Sequence, residues 1–309
     1  MDNSKIIEKS RESRIKKIFN RQTREFFMRS LRFMSDATYI SLFYWMVTGK
    51  KLDLKKPQGF NEKLQWLKLH EDYSKYRDYA DKIKVRDVIK EKVGDGYMFP
   101  ILGQWKSFDE IDFNSLPEEF VLKCNHDSGS VKIIRNKSNL TKKEMKSLRA
   151  FFNVRMKRDF FIMGREPCYK GIDRYIFAEQ FMHDDIATSR GIRDYKFFCF
   201  NGKPHIMFIA TDRITDTRFD FYDMDFNHLD ITNIHPQSGK IIEKPANFEK
   251  MKELAAQLSA GIKFVRIDFY EIDDKIYFGE FTFFHGGGFN QFIPDYWERK
   301  LGDLIDISD

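Results

Sequence analysis

The sequence predicts an α+β fold dominated by antiparallel sheets. Helical segments are interspersed with β-hairpins and do not alternate with single strands, which argues against a parallel, doubly wound sheet. Asn201-Gly202 separates two strand-like runs and is a strong hairpin-turn signal. A second hairpin is written into residues 264–289, FVRIDFYEIDDKIYFGEFTFFHGGGF, where β-branched and aromatic runs flank Asp273-Asp274-Lys275. With 309 residues, 42% of them hydrophobic and 16% aromatic, the chain can bury the core of one large domain or of two to three subdomains.

Taken in order, residues 1–35 carry ten Lys or Arg against four acids, with Ile7, Ile15, Ile18, Phe19, Phe26, Phe27 and Leu31 at loosely helical spacing. Such a basic amphipathic segment either lies on an anionic membrane surface or packs on the body with its charges in solvent. Residues 36–93 read as helical through YISLFYWMV, EKLQWLKL and DYADKIKVRDVIKEK, interrupted at Pro57-Gln58-Gly59, with Asn61 as an N-cap. FVLKC (120–124) and VKII (131–134) read as short strands around a polar loop, and Thr141-Lys-Lys-Glu144 is a capping box opening a helix to about residue 158. YIFAEQFM (175–182) reads as a strand. Further strand pairs are expected at 194–200 with 205–211 and at 219–224 with 228–234. A helix over 248–262 then precedes the 264–289 hairpin, and a short helix follows residue 294.

Composition excludes several classes. A net charge of +6, from 53 Lys and Arg against 47 Asp and Glu, permits anionic ligands but is no nucleic-acid signature. Three widely spaced cysteines (Cys124, Cys168, Cys199) argue against a disulfide framework or a zinc site and fit a reducing cytosol. The first twenty residues are too polar for a signal peptide, and no apolar run reaches the roughly 20 residues that span a bilayer. There is no Gly-x-Ser-x-Gly elbow and no His-x-x-x-His pair, so covalent hydrolase chemistry is poorly supported.

The chemistry-bearing residues lie on strands. Alternation puts Arg266, Asp268 and Tyr270 on one face, and Glu280 and Thr282 on one face of the return strand. A three-residue turn at 273–275 would set Asp268 directly opposite Glu280, where like charges repel. Either one carboxyl is protonated or a cation sits between them; oxygen ligands of this kind suit Mg²⁺. The alternative is a solvated edge where neither acid matters. Lys123 sits inside an apolar strand beside Ser128-Gly129-Ser130, a small loop able to offer N–H groups to a phosphate, or simply a hairpin loop. Lys196 shares a face with Asp194 and Phe198 and is expected opposite Met207; it and Arg213 point either to solvent or to a ligand. Gly286-Gly287-Gly288 permits close backbone approach or marks a mobile loop.

The motifs FNEKLQWLK (60–68), ADKIKVRDVI (80–89), LPEEFVLKCNHDSGSV (116–131), DYKFFCFNGKP (194–204) and RIDFYEIDDKIYFGEFTFFHGGGF (266–289), in this order, resemble the ATP-grasp family of the teichuronopeptide-biosynthesis type, found in bacterial surface-polysaccharide gene sets. The resemblance spans about residues 35–295. It implies two α+β subdomains clasping ATP behind an N-terminal helical region: a basic amphipathic helix at 1–35, a helical or αβ subdomain at 36–115, the small subdomain at 116–182 and the metal-bearing subdomain at 183–309. It further implies Lys82 and Lys123 as nucleotide lysines and Ser128, Gly129 and Ser130 as the phosphate loop. Glu179, Gln180 and Phe181 would read adenine, and Asp184 or Asp185 the ribose. Asp268 and Glu280 would hold Mg²⁺. Where the wider family has Asn, this chain has Thr282, whose hydroxyl can still ligate. Lys196, Arg213 and Arg266 are then the groups for the transferring phosphate or the carboxylate. The implied activity is a cytoplasmic Mg²⁺- and ATP-dependent carboxylate–amine ligase acting through an acyl phosphate on a surface glycan or its precursor, an amino sugar or uronic acid, with peripheral membrane contact through residues 1–35. The rival activities are a glycosyltransferase-like enzyme, an ATP-dependent sugar kinase and a non-catalytic membrane-associated scaffold.

Overall fold

The computed structural model describes residues 28, 30–183, 192–213 and 216–308; the basic segment at 1–27, Asp184 and Asp185 lie outside them. The described strands form two antiparallel sheets. The smaller has the order β1-β4-β2-β3, from Ile101–Trp105 (β1), Phe120–Cys124 (β2), Val131–Ile134 (β3) and Ile176–Gln180 (β4). The larger has the order β10-β9-β5-β6-β7-β8, from Asp194–Phe200 (β5), Lys203–Thr211 (β6), Arg218–Asp223 (β7), His228–Leu229 (β8), Phe264–Ile272 (β9) and Lys275–Thr282 (β10). The antiparallel α+β expectation is met. Strand β1, which the sequence pattern did not signal, pairs with β4 and so joins the 116–182 segment from outside it.

The N-terminal helices are α1 (Asp36–Thr48), α2 (Phe60–His70), the single turn α3 (Arg77–Ala80) and α4 (Val85–Val93). The expected continuous helix over 78–92 is broken at residues 81–84, because the Asp81 carboxylate accepts from the Ile83 amide and binds the Asn125 side chain. Gly59, not Asn61, caps α2, and the Glu62 carboxylate accepts from the Gly59 amide at 3.0 Å. The Thr141–Glu144 capping box opens α5 (Lys142–Met156) as expected. A single turn, α6 (Phe161–Gly164), follows, and α7 (Phe248–Ser259) and α8 (Tyr296–Gly302) are the remaining α-helices among the described residues.

Period-2 alternation explains both cores. In β2, Phe120, Leu122 and Cys124 are buried against Leu148 and Phe152 of α5, so Val121 and Lys123 take the opposite face. In β5 all seven residues are buried, the mark of a central strand covered on both faces. Phe197 packs on Phe248 of α7, while Phe198 and Phe200 pack on Phe60 of α2. Asp194 and Lys196 continue that second face, so a polar site opens at the end of a Phe-filled layer.

Asn61 and Glu298 fasten α8 to α2. The buried Glu298 carboxylate accepts from the Asn61 amide (3.2 Å), the Asn61 side chain (2.7 Å) and the Phe292 amide (2.8 Å). Burial pushes this carboxyl up to about 7, with the three N–H donors opposing. Folding therefore favours its protonated form: the contribution to stability is full below the ordinary value of 4.5 and is lost as pH rises through about 7. Glu298→Ala strands three N–H groups and is expected to lower stability by about 3 kcal/mol and to remove this part of the pH dependence. Urea unfolding at pH 5 and pH 8 measures both.

Candidate active site

Three strands of the larger sheet bring a row of charges together. Lys196 on β5 lies opposite Asp268 on β9, and Asp268 lies opposite Glu280 on β10. The carboxylate pair expected from the sequence is present, reached by another route. The turn has two residues, Asp273 and Asp274, both with positive φ, and pairs Ile272 with Lys275. A regular ladder would then set Asp268 against residue 279. A bulge at Gly279 shifts the register by one and restores Glu280 as the partner. Glycine relieves crowding there, since a Cβ would sit 3.1 Å from the Asp268 carbonyl and 3.1 Å from the Tyr270 ring. A bulge between β5 and β6 likewise sets Lys196 opposite Phe208 and not the expected Met207.

The like-charge repulsion is resolved by a guanidinium. Arg266 donates from Nε to Asp268 Oδ1 (2.7 Å) and from Nη2 to Asp268 Oδ2 (2.7 Å), Glu280 Oε1 (3.3 Å) and Thr282 Oγ1 (2.9 Å). Lys196 binds Asp268 Oδ2 as well and lies 2.7 Å from Asp194. Arg213 reaches the same Asp194 oxygen at 3.1 Å. Three cations thus meet three anions. Burial pushes the Asp268 carboxyl up, but Arg266 and Lys196 outweigh it and hold it down to about 2. Asp194 holds the Arg213 guanidinium above its ordinary range.

His285 completes the support of Arg266. Its Nδ1 accepts from Arg266 Nη1 at 2.7 Å, which leaves Nε2–H to donate to Asn233 Oδ1 at 2.8 Å. Burial, then Arg266, drives the imidazole far below its ordinary value, consistent with this neutral tautomer. Asn233 in turn donates to the Asn290 and Gln291 carbonyls.

A second cluster forms on the face of β2 and β4 that turns away from α5. Lys123 pairs with Glu179. The following loop is tied down by Asn125, whose side chain donates to Asp81 and to the Asp173 carbonyl. Lys82 donates to the Asp127 carbonyl, and the buried Ser130 hydroxyl donates to the Asp127 carboxylate. Ser128 and Gly129 form the exposed tip, with φ +80° at Gly129. Gln180 and Phe181 do not join this cluster: Gln180 is exposed, and the Phe181 ring lies under Arg135 at 3.8 Å.

Tyr169 lies within electrostatic reach of both clusters. The Tyr169 phenol, pushed up first by burial and then by Glu166, also feels Glu280 of the first cluster and Asp127 of the second. Burial pushes the neighbouring Glu166 carboxyl up to about 7, with Lys68 opposing and Glu280 adding to the rise. Sequence reasoning missed Arg86, whose guanidinium is pushed down by burial with Glu179 opposing, and whose Nη1 has no partner among the described residues. Its spacing four residues after Lys82 was the available signal. Asp194 was visible as the residue sharing a face with Lys196. Glu166 and Tyr169 lie in an irregular segment and carried no periodic signal.

The donor set suits a hard divalent cation. Among the described residues, Asp268 Oδ1 accepts a single hydrogen bond and Glu280 Oε2 accepts none, and the Glu280 side chain is 38% exposed. Among the described residues no three His, Cys, Asp or Glu converge to hold a metal. Two carboxylates with the remaining positions left to water and phosphate is the usual manner of Mg²⁺.

The model of the family described as TupA-like ATPgrasp matches residues 62–306. None of the curated proteins matches the chain. Among solved structures, the chain is similar to a D-alanine–D-alanine ligase from Bacillus anthracis (17% identity, 81% of this chain and 69% of that one, TM-score 0.40). It is also similar to the ATP-grasp ligase PsnB complexed with a minimal precursor (9%, 68% and 54%, 0.37) and to N5-carboxyaminoimidazole ribonucleotide synthetase from Thermus thermophilus (11%, 66% and 45%, 0.34). The family match takes in both sheets and every residue of both charge clusters, and the chain belongs to the TupA-like ATP-grasp family.

Proposed function

We propose that this protein joins an amine to a carboxylate on a cell-surface glycan or its precursor, by way of an acyl phosphate. As an ATP-grasp enzyme it is an ATP-dependent ligase that uses ATP with Mg²⁺. The observation that carries the proposal is the carboxylate–guanidinium row on β5, β9 and β10, found in one family-matched chain with a lysine-bearing loop. The glycan rests on the family's polysaccharide context.

ATP supplies the phosphoryl group that activates the carboxylate, and Mg²⁺ neutralises phosphate charge. Glu280 and Asp268 would hold the ion, with the Thr282 hydroxyl beside them. Lys82 and Lys123 place positive charge at the 125–130 loop, where nucleotide phosphates would lie. Arg266, locked by four partners, presents a fixed guanidinium to a carboxylate or a transferring phosphoryl group. Lys196 and Arg213 add charge that needs no reorganisation during reaction. No side chain is required as a nucleophile, which suits a site built from charge and position. We place the protein in the cytoplasm, its basic leading segment at the inner membrane face. No described helix is long and apolar enough to cross a membrane.

Calorimetric titration with a non-hydrolysable ATP analogue, with and without Mg²⁺, tests the proposal. Binding should require Mg²⁺, and Lys123→Ala should weaken it by about tenfold or more, the equivalent of ~1.4 kcal/mol. Absence of nucleotide binding in the wild-type protein would overturn the ligase and point to nucleotide sugars.

A further inference from the structure

Helix α1, DATYISLFYWMVT, contains one charged residue, Asp36, at its first turn. A helix apolar on all sides is normally buried all round. This one is not. Tyr39, Ile40, Phe43 and Tyr44 are buried, Phe43 edge-on to Phe289 at 4.8 Å. The other side, Ala37, Thr38, Ser41, Leu42 and Trp45, lines a shallow open depression. Trp45 is 53% exposed, and Phe33, just before the helix, is 83% exposed. Asp36 is paired with Arg165 at 3.4 Å, so no unpaired charge interrupts the open side.

The charge distribution says what this face meets. Residues 1–56 contain fourteen Lys or Arg and six Asp or Glu, a net +8. The whole chain is +6, so the other 253 residues sum to −2. The positive excess is therefore confined to the sequence that precedes, forms and follows α1. Lys51, Lys55 and Lys56 are exposed immediately after it. Trp and Leu beside lysines match the headgroup region of an anionic bilayer, where an indole sits at the interface and each basic residue adds attraction. A second copy on this face would bring two +8 segments together, and a nucleic acid would leave Leu42 and Trp45 without a use.

We propose that the open face of α1 docks on an anionic lipid surface, with Leu42 and Trp45 entering the headgroup layer. This rests on the placement at the inner membrane face and adds the structural element that makes the contact. It does not depend on the ligase chemistry.

The test uses the full chain and sedimentation with phosphatidylcholine vesicles, with and without phosphatidylglycerol. Wild-type protein is expected to bind the anionic vesicles at least tenfold more tightly and to lose binding as salt screens the charges. Leu42→Glu/Trp45→Glu should reduce binding at least tenfold, and Trp45→Glu alone, at the 53% exposed position, should weaken binding with an unchanged melting temperature. Brominated lipid should quench wild-type fluorescence more than that of Trp45→Phe. If the Glu variants bind as wild type while replacement of Arg11, Arg14, Lys16 and Lys17 by Gln abolishes binding, the basic segment acts alone and the role of α1 is overturned. If no form binds, the membrane placement fails as well. A lipid-free dimer broken by the Glu variants would assign the face to a second copy and overturn the proposal.

Discussion

Asp268→Asn is expected to abolish Mg²⁺-dependent nucleotide binding and to lower turnover by about 10³-fold or more, while the chain still folds. The aspartate accepts three hydrogen bonds, two from Arg266 and one from Lys196, and its Oδ1 has a lone pair to spare. An amide keeps the shape but places an NH₂ group where a cation already donates. It also removes the charge that holds a divalent ion against Glu280. Breaking part of a buried ionic network costs about 3 kcal/mol, which a domain of ordinary stability survives. Cooperative urea unfolding at a lowered midpoint should therefore accompany the functional loss. Retained Mg²⁺-dependent binding in the folded variant would remove Asp268 from the metal site. The same linkage fixes the acid side of stability. Asp268 is held below its ordinary 3.8, so its contribution is present above about pH 4 and is lost as pH falls toward 2.

The site was legible wherever alternation along a strand determined it. Asp194, Lys196, Arg266, Asp268, Glu280 and Thr282 were assigned to faces from period 2 alone, and the structure gathers them on one sheet. Register was less secure, because it depends on turns and bulges. The Asp268–Glu280 pairing was expected through a three-residue turn and is produced by a two-residue turn with a bulge at Gly279. For Lys196 the bulge beyond the Asn201-Gly202 turn was not visible, and its partner moved from Met207 to Phe208. Residues brought in by irregular backbone were the least legible. Glu166 and Tyr169 have no period to betray them, and strand β1 is only five residues with a glycine at its centre. The compensating cation was anticipated as a metal or a proton, and the structure supplies Arg266 from the adjacent position of the same face. Asn61 illustrates a local preference overridden by tertiary structure: a good N-cap residue is used as a buried tie to Glu298.

Arg266→Ala separates the two ways of neutralising the carboxylate pair, and its expected effect is the largest on stability. The guanidinium touches Asp268, Glu280, Thr282 and His285. Removing it leaves Asp268 and Glu280 opposed across the strands with Lys196 as the cation still bonded to Asp268, and leaves buried His285 Nδ1 without its donor. The cost should be about 3–5 kcal/mol, the range for an uncompensated buried charge. Arg266→Lys should recover little, because a point charge cannot donate in parallel to both oxygens of Asp268. Turnover should fall with both variants. The informative measurement is the response of the melting temperature to Mg²⁺. If Asp268 and Glu280 form the metal site, the ion takes over the neutralisation lost with the guanidinium. Millimolar Mg²⁺ should then raise the melting temperature of Arg266→Ala by more than that of wild type, following the binding free energy it adds to the folded state alone. In Arg266→Ala/Asp268→Asn the repulsion and the metal ligand are both gone, so the extra Mg²⁺ response should vanish. An Arg266→Ala protein that folds but gains nothing from Mg²⁺ would mean that the carboxylate pair is built for a guanidinium and not for a metal, and the ion would have to be sought at phosphate oxygens alone.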